Sequence, residues 1–315
     1  MVSLTQLEYL VAVDRERHFG RAAKACHVSQ PSLSTQIQKL EEELNIIVFD
    51  RTRKPIFATD VGAQIVKQAQ VVLKEHRRLL GIASDAGGEL TGSFELAVIP
   101  TLSPYLLPHF LSDFSRKYPN VNIRVNEYKT DDIIQKLEAD ELDAAILVTP
   151  LGHDRIIERH LFFEPFYGYL GLGHPLSKKK TLGEKDLLGE DLWLLEEGHC
   201  FRDQVLKVCS LDRRSSVLGN VEFSSGSLET LKNLVRSSQG YTLLPELAVL
   251  GLSDEEKSKY VKRFQKPVPT REVSLVHSRV FLKEGIIEAL ESTILENLPK
   301  KIRSLKTNEI EVVDL

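Results

Sequence analysis

The sequence predicts an α/β protein built as a winged helix-turn-helix, then one long helix, then a domain of alternating strands and helices. Three observations predict it. The first 60 residues hold three short helical periods followed by two β-rich runs around a basic tip. A second stretch, opening at Thr59 and Asp60, keeps one unbroken helical pattern to about Ser84. From Gly92 onward β-rich runs alternate with helical ones, the pattern of a mostly parallel sheet covered by helices.

Composition bounds the function classes. A length of 315 residues suits two or three domains with real cores, and 42% hydrophobic with 27% charged residues is ordinary for a soluble protein. The first 90 residues carry 12 Lys and Arg against 11 Asp and Glu, and the rest carry 29 against 34. Nucleic-acid binding is therefore expected only near the N-terminus. Three cysteines do not make a disulfide scaffold. No signal peptide and no bilayer-length apolar run is visible, so a cytoplasmic protein without a membrane partner is expected.

Ser3 and Gln6 fit a capping box, opening a helix whose apolar face carries Leu7, Leu10 and Val11. Phe19 to Cys26 reads as a second helix, with Cys26 packed as a small core residue beside Ala22 and Ala23. A third helix is capped by Ser29, has Pro31 in its first turn and ends at Leu44. Leu33, Ile37, Leu40 and Leu44 form its apolar stripe. Gln30, Pro31, Ser32, Ser34, Thr35 and Gln36 are the candidate groove-reading residues, since amides and hydroxyls can pair with base edges. The stretch Ile46–Phe57 reads as a wing, two β-rich runs flanking a basic tip, with Arg51, Arg53 and Lys54 as phosphate contacts.

In the long helix Asp60 complements the helix dipole at the start, and Gly87 and Gly88 stop the helix. Ile65, Ala69, Val72, His76, Leu79 and Ala83 recur at steps of four and three, a heptad seam about 39 Å long. Such a helix needs a partner, and pairing of two chains is the favoured reading. The later strands are predicted at 94–99, 122–127, 142–148, 166–172, 192–195, 217–223, 241–244 and 273–277. Helices are predicted at 106–118, 131–139 and 286–298. No Gly-rich dinucleotide fingerprint, phosphate loop or metal-spaced His/Cys cluster is present, so no cofactor and no metal is expected.

The stretch Gly198–His199–Cys200–Phe201–Arg202–Asp203–Gln204, followed by Cys209, holds two of the three cysteines. Nearby positive charge lowers a thiol's pKa, so a sensor thiol with a resolving partner is one reading. Two ordinary cysteines in a helical segment is the other, and spacing alone favours it. Thr101, Thr130 and Arg271 lie at predicted strand ends, where a plain N-cap or turn residue is the better reading of either threonine alone and a surface charge is open for Arg271.

Two resemblances decide between these readings. Leu7–Val13, Arg21–Ala23, Val28–Ser34, Gln36–Ile37, Leu40–Glu41, Leu44 and Phe49–Arg51 together resemble the N-terminus of the LysR-type transcriptional regulators. The resemblance implies a winged helix-turn-helix that binds dyad DNA sites as an oligomer. It further implies a two-lobed effector domain of periplasmic-binding-protein type, two Rossmann-like subdomains with a crevice between them. The expected organisation is then 1–58 for the DNA-binding domain, 59–88 for the linker helix and 91–315 for the effector domain. Within the last, lobe I would be 91–163 plus 268–315 and lobe II 164–267.

More narrowly, Thr101 with Pro104–His109, Thr130, Leu195–Gln204, Cys209, Ser227–Leu231 and Gly240–Pro245 is similar to the peroxide-sensing OxyR branch of that family. That similarity implies that hydrogen peroxide oxidises Cys200, the peroxidatic thiol, and that Cys209 resolves it to a disulfide. Thr101, Thr130, His199, Asp203 and Arg271 would line the peroxide pocket. An activator, assembled as a homotetramer (a dimer of dimers), is implied, with RNA polymerase a candidate partner. The chain departs from the branch at Glu222, where histidine is the family residue, and in the tail from Thr307 to Leu315. If Cys200 to Cys209 is helical, the Cα atoms lie roughly 13 Å apart, whereas a disulfide needs about 7 Å or less. The bond then requires refolding of about Gly198 to Asn220. A LysR-type sensor of a small metabolite in the inter-lobe cleft, a thiol peroxidase and a transport-type binding protein are the competing functions. The helix-turn-helix and linker argue against the second, and the missing signal peptide against the third.

Overall fold

The structure, a computed structural model, describes the chain except residues 53–54, 86–88, 188–190, 211–215, 219–220, 224–225, 279–282, 306 and 315. It divides into two compact units, Met1–Gly88 and Glu89–Leu315.

In the first unit α1 spans Leu4–Glu16, α2 Phe19–Ala25 and α3 Gln30–Leu44. Ser3 and Gln6 cap each other reciprocally at the start of α1, and Ser29 Oγ accepts the Ser32 N–H at the start of α3. Leu10, Val13, Ala22, Leu33, Ile37 and Leu40 are fully buried between these helices. Leu44 is not part of that stripe: it is exposed in the last turn of α3. The wing strands are β1, Phe49–Asp50, and β2, Phe57–Ala58, paired antiparallel. Glu41 Oε1 accepts the N–H groups of Val48 and Phe49 (2.8 and 3.2 Å), tying the entry to the wing to α3.

The long helix α4, Asp60–Asp85, begins where predicted. Gly62 is needed near its start, since a Cβ there would stand 2.1 Å from the Val48 carbonyl oxygen. The heptad seam needs correction. Val66, Ala69 and Leu73 turn inward, with Val66 and Ala69 in the core of the first unit, so Ala69 is a core residue and not part of an exterior seam. The apolar ridge left exposed is Val61, Val72 and Leu79, with Ile65 and His76 half-buried. The side chain of Ala83 and residues Gly87 and Gly88 lie outside those described. No described helix is long and apolar enough to cross a membrane.

In the second unit, β3 (Gly92–Val98), α5 (Ser103–Lys117), β4 (Val121–Glu127), α6 (Thr130–Glu138) and β5 (Ala144–Thr149) follow one another. The strand β6 (Ile156–Leu170), α7 (Cys200–Val208), β7 (Ser216–Leu218), β8 (Val221–Phe223) and α8 (Leu228–Ser237) come next. Then come β9 (Tyr241–Pro245), α9 (Glu246–Leu250), α10 (Asp254–Tyr260), β10 (Val261–Arg263) and β11 (Val268–Ser278). Finally α11 (Glu284–Asn297), α12 (Lys300–Arg303) and β12 (Ile310–Val312) close the described chain.

One mixed sheet runs through the unit in the order β10-β6-β11-β5-β3-β4, with β9 also on β6 and β12 on β11. Only the β3–β4, β3–β5 and β11–β12 pairs in it are parallel, so the expectation of a mostly parallel sheet is corrected. The reason is β6, which has 15 residues where the sequence suggested only 166–172. Its first half pairs antiparallel with β11, and its second half with β9 and β10. Glu158, Arg159 and His160 hide this strand from an apolar count, since they fall on its less buried stretch. The segment Leu192–Leu195 is buried but not a strand, joined to Tyr241 by one bridge. The predicted strand 217–223 is a short hairpin, β7 against β8.

Two hydrophobic cores result. The first joins β3, β5, α5, α6 and α11 with parts of β6 and β11. The second joins the end of β6 with α7, α8, β9 and α9. The long strands β6 and β11 span both, so the seam between the cores is bridged by continuous backbone.

Candidate functional site

Helix α7 carries a cysteine at each end. Cys200 is its first residue and packs partly buried against the first core, whereas Cys209 caps its end, 3% exposed in the second core. Both are free thiols. Nine residues at 1.5 Å rise set their Cα atoms roughly 13 Å apart, beyond disulfide reach. Gly198 makes the turn into α7 with φ +84°, and a Cβ there would stand 3.3 Å from the Lys129 side chain.

The surroundings of Cys200 differ from the sequence expectation. His199, beside it, is 5% exposed, and burial followed by the charge of Lys129 lowers its pKa, so at neutral pH it lends no positive charge. Arg202 points away and donates to the Leu195 carbonyl at 2.8 Å. The cation that acts on Cys200 is Arg271 from β11. Burial nonetheless raises the Cys200 pKa, against the opposing pull of Arg271, the Thr130 hydroxyl and the Phe201 N–H. Asp203 is exposed in the first turn of α7, and its charge works in the same direction as burial. It is therefore a neighbour of the thiol that opposes its ionisation, not a stabiliser of the thiolate. Burial likewise pushes the Cys209 thiol up, to about 12, with the Tyr241 hydroxyl opposing.

Arg271 is fully buried, not a surface charge. Its Nε and Nη2 both bond Glu164 Oε2 (2.8 and 2.7 Å), and Glu164 is also fully buried. Glu164 Oε1 accepts the Leu247 N–H at 2.7 Å, which completes the carboxylate's partners. The guanidinium lies 5.5 Å from the centre of the Phe201 ring, and its Nη1 donates to Thr101 Oγ1 at 3.1 Å. Because Thr101 Oγ1 accepts from Arg271, its own O–H is free to donate elsewhere. Thr130, the first residue of α6, has a buried hydroxyl that makes no hydrogen bond of good geometry among the described residues, though it lies close enough to Cys200 to favour the thiolate. A hydroxyl held beside the thiol can donate to a polar group placed there.

The structure thus brings Thr101, Thr130, Cys200 and Arg271 together and leaves His199 at the edge. Glu164, Lys129, Phe201 and Tyr105 were missed. Glu164 carried a signal: a lone acid inside Phe162–Phe163–Glu164–Pro165–Phe166. Lys129 pairs with Glu196 at 2.8 Å and reaches the Glu197 carbonyl, and it holds the Glu196 carboxyl below the usual range. The Tyr105 hydroxyl donates to Glu229 at 2.7 Å, and the Tyr105 ring touches both cores. These two contacts tie α5 and the start of α6 to Glu229 of α8 and to the Glu196–Glu197 stretch before α7.

On the first unit, Gln30, Pro31, Ser32 and Thr35 are exposed at the start of α3, with Ser34 half-buried. Gln36 is tied back by the Gln6 amide at 3.3 Å. Arg51 pairs with Glu41 at 2.7 Å and lies over the Phe19 ring. Arg53 and Lys54 lie outside the described residues. Cys26 packs beside that core, and burial raises its pKa.

Comparison with known proteins completes the assignment. The family described as bacterial regulatory helix-turn-helix protein, lysR family, matches residues 4–63, and that described as LysR substrate binding domain matches residues 87–296. The chain belongs to the LysR family. Within it the chain falls in the OxyR branch. A hydrogen peroxide-inducible genes activator of Pectobacterium carotovorum is 36% identical, over 96% of this chain and 99% of that protein. The DNA-binding transcriptional dual regulator OxyR of Escherichia coli K12 is 38% identical, over 88% of this chain and 89% of its own length. A full-length OxyR of Pseudomonas aeruginosa, solved as a cysteine-to-aspartate variant, superposes with a TM-score of 0.76 at 35% identity. It covers 95% of this chain and 99% of that one. As a LysR-family member the chain is a transcriptional regulator.

The raised Cys200 pKa has a measurable consequence. The thiolate is the minor form at neutral pH, so the alkylation rate of Cys200 should climb about tenfold per pH unit from pH 6 to 8. Alkylation by iodoacetamide in a Cys26→Ser, Cys209→Ser background measures it. A plateau below pH 7 would contradict the burial argument.

Proposed function

We propose that this regulator senses hydrogen peroxide at Cys200 and changes its grip on promoter DNA when Cys200 and Cys209 join. The observation that carries the reading is that one short helix holds the two thiols at its ends, each in a different core, with only Cys200 beside Arg271 and Thr130. Peroxide sits beside Cys200, with the Thr101 and Thr130 hydroxyls as donors and Arg271 as the fixed positive charge. His199 and Asp203 flank this pocket, His199 as a neutral ring and Asp203 as a charge that opposes ionisation of the thiol. The sulfur attacks one peroxide oxygen, the O–O bond breaks, and the leaving oxygen departs as water. Cys209 then displaces the hydroxyl of the sulfenic acid, which also leaves as water. Helix α7 must unwind for this, so the bond converts a chemical event into refolding of about Gly198–Asn220.

On the DNA side, Gln30, Pro31, Ser32, Ser34 and Thr35 read the groove, with Gln36 positioned against α1. Arg51, Arg53 and Lys54 hold the phosphates, Arg51 by exchanging its Glu41 partner. The domains are taken as 1–58, 59–88 and 91–315. The exposed ridge Val61, Val72 and Leu79 supports pairing through α4, and a dimer of dimers would place paired heads on dyad sites. Activation through RNA polymerase completes the proposal. A promoter footprint with reduced, peroxide-treated and Cys200→Ser protein tests it. Oxidation should alter the wild-type footprint, and Cys200→Ser should keep the reduced pattern with or without peroxide. An unchanged wild-type footprint, or a Cys200→Ser protein that still responds, would sink the reading.

A further inference from the structure

We infer that the C-terminal segment Ile310–Asp314 is a strap that holds α7 helical and thereby sets how fast the Cys200–Cys209 bond closes. The inference rests on the two-thiol reading above. The strand β12 lies parallel to the start of β11, with Ile310, Glu311 and Val312 opposite Val268, Pro269 and Thr270. The Val313 N–H continues the pairing, donating to the Thr270 carbonyl at 2.8 Å. Lys266 pairs with Glu309 at 2.7 Å just before the strand.

Beyond β12 the segment reaches α7 between the two cysteines. Gln204 Nε2 donates to the Val313 carbonyl at 2.7 Å, and Lys207 Nζ to the Asp314 carbonyl at 3.3 Å. Gln204 is fully buried, so its amide has no water to fall back on. The Val313 side chain packs against the second core, which contains Cys209. Helix α7 is thus tied at its middle and its last turn to a segment from the other end of the effector unit.

Closing the disulfide requires the Cα atoms to come from roughly 13 Å to within about 7 Å, which unwinds α7. Unwinding carries Gln204 away from Val313 and strands a buried donor, an expensive loss. The strap therefore favours the helical, dithiol form. It acts on one of the two chemical steps only. In the first, the Cys200 thiol and hydrogen peroxide give sulfenic acid and water, with α7 intact. In the second, Cys209 sulfur attacks Cys200 sulfur, the S–O bond breaks, and hydroxide leaves with the Cys209 proton as water. The strap restrains that second step.

The test compares the full chain, a chain ending at Leu305, and full-length Val313→Pro, which removes the N–H that pairs with Thr270. Sulfenic acid is trapped by a cyclic dione in a quenched time course, and the disulfide is counted by mass spectrometry. Trp193, the sole tryptophan and buried in the core with Cys209, reports the rearrangement by fluorescence. The chain ending at Leu305 should form sulfenic acid at the full-chain rate and close the disulfide about tenfold faster. Its midpoint potential should fall by about 30 mV, the equivalent of that factor. Val313→Pro should shift closure the same way by less. Equal closure rates in all three proteins would overturn the strap, as would sulfenic-acid formation quickened in step with closure. If the shortened chain fails to fold, Val313→Pro decides by the same two rates. If the full chain itself forms no Cys200–Cys209 bond, the two-thiol reading fails and takes the strap with it.

Discussion

Replacing Arg271 with methionine should slow peroxide oxidation of Cys200 by roughly 100- to 1,000-fold and destabilise the effector unit by about 3–5 kcal/mol. The two losses have different origins. The rate falls because Arg271 is the charge that opposes burial at the thiol and fixes Thr101 through Oγ1. Without it the thiolate becomes rarer and the departing oxygen loses its nearest cation. The stability falls because Glu164 is left fully buried with a negative charge and only the Leu247 N–H beside it. A second substitution separates them. Glu164→Gln added to Arg271→Met removes the unpaired charge, so stability should largely return while oxidation stays slow. Urea unfolding and stopped-flow oxidation on both proteins measure the pair of effects. Recovery of the oxidation rate along with stability would show that Arg271 acts only as a structural ion-pair partner.

Cys209→Ser should stop the chemistry at sulfenic acid. Burial keeps Cys209 inert in the helical form, and it sits in the second core at the other end of α7 from Cys200. Oxidation of Cys200 should therefore proceed at the wild-type rate, giving a product one oxygen heavier and still open to thiol reagents. The Trp193 fluorescence change and the altered footprint should both be absent. A Cys209→Ser protein that still switches its footprint with peroxide would show that sulfenic acid alone moves the effector unit.

Much of the first unit was legible because its signals are local. Ser3 with Gln6, and Ser29 with Pro31, set helix starts within one turn of sequence, and the structure begins α1 and α3 there. Leu44 misled because its spacing fits the stripe, yet by the last turn the helix has run past its neighbours. Ala69 misled for the opposite reason: a long amphipathic helix can bury one apolar stripe in its own unit and leave a second exposed, and heptad spacing alone does not say which residue goes where. In the effector unit the polar cluster was partly legible. Thr101 and Thr130 stood at strand ends in the sequence, but the charges beside Cys200 in sequence, His199 and Arg202, proved to be the wrong ones.

The sequence by itself determined the helical head, the spacing of two thiols along one helix, and thus their separation, because helix geometry fixes distance from residue count. Only the tertiary structure decided what those thiols experience. Arg271 meets Glu164 across 107 positions, and Gln204 meets Val313 across 109. Such pairings follow from the register of long antiparallel strands and from which faces pack, which no local pattern records. The ionisation of Cys200 depends on burial and on a charge brought from a distant strand, so it became visible only once the two cores had closed around α7.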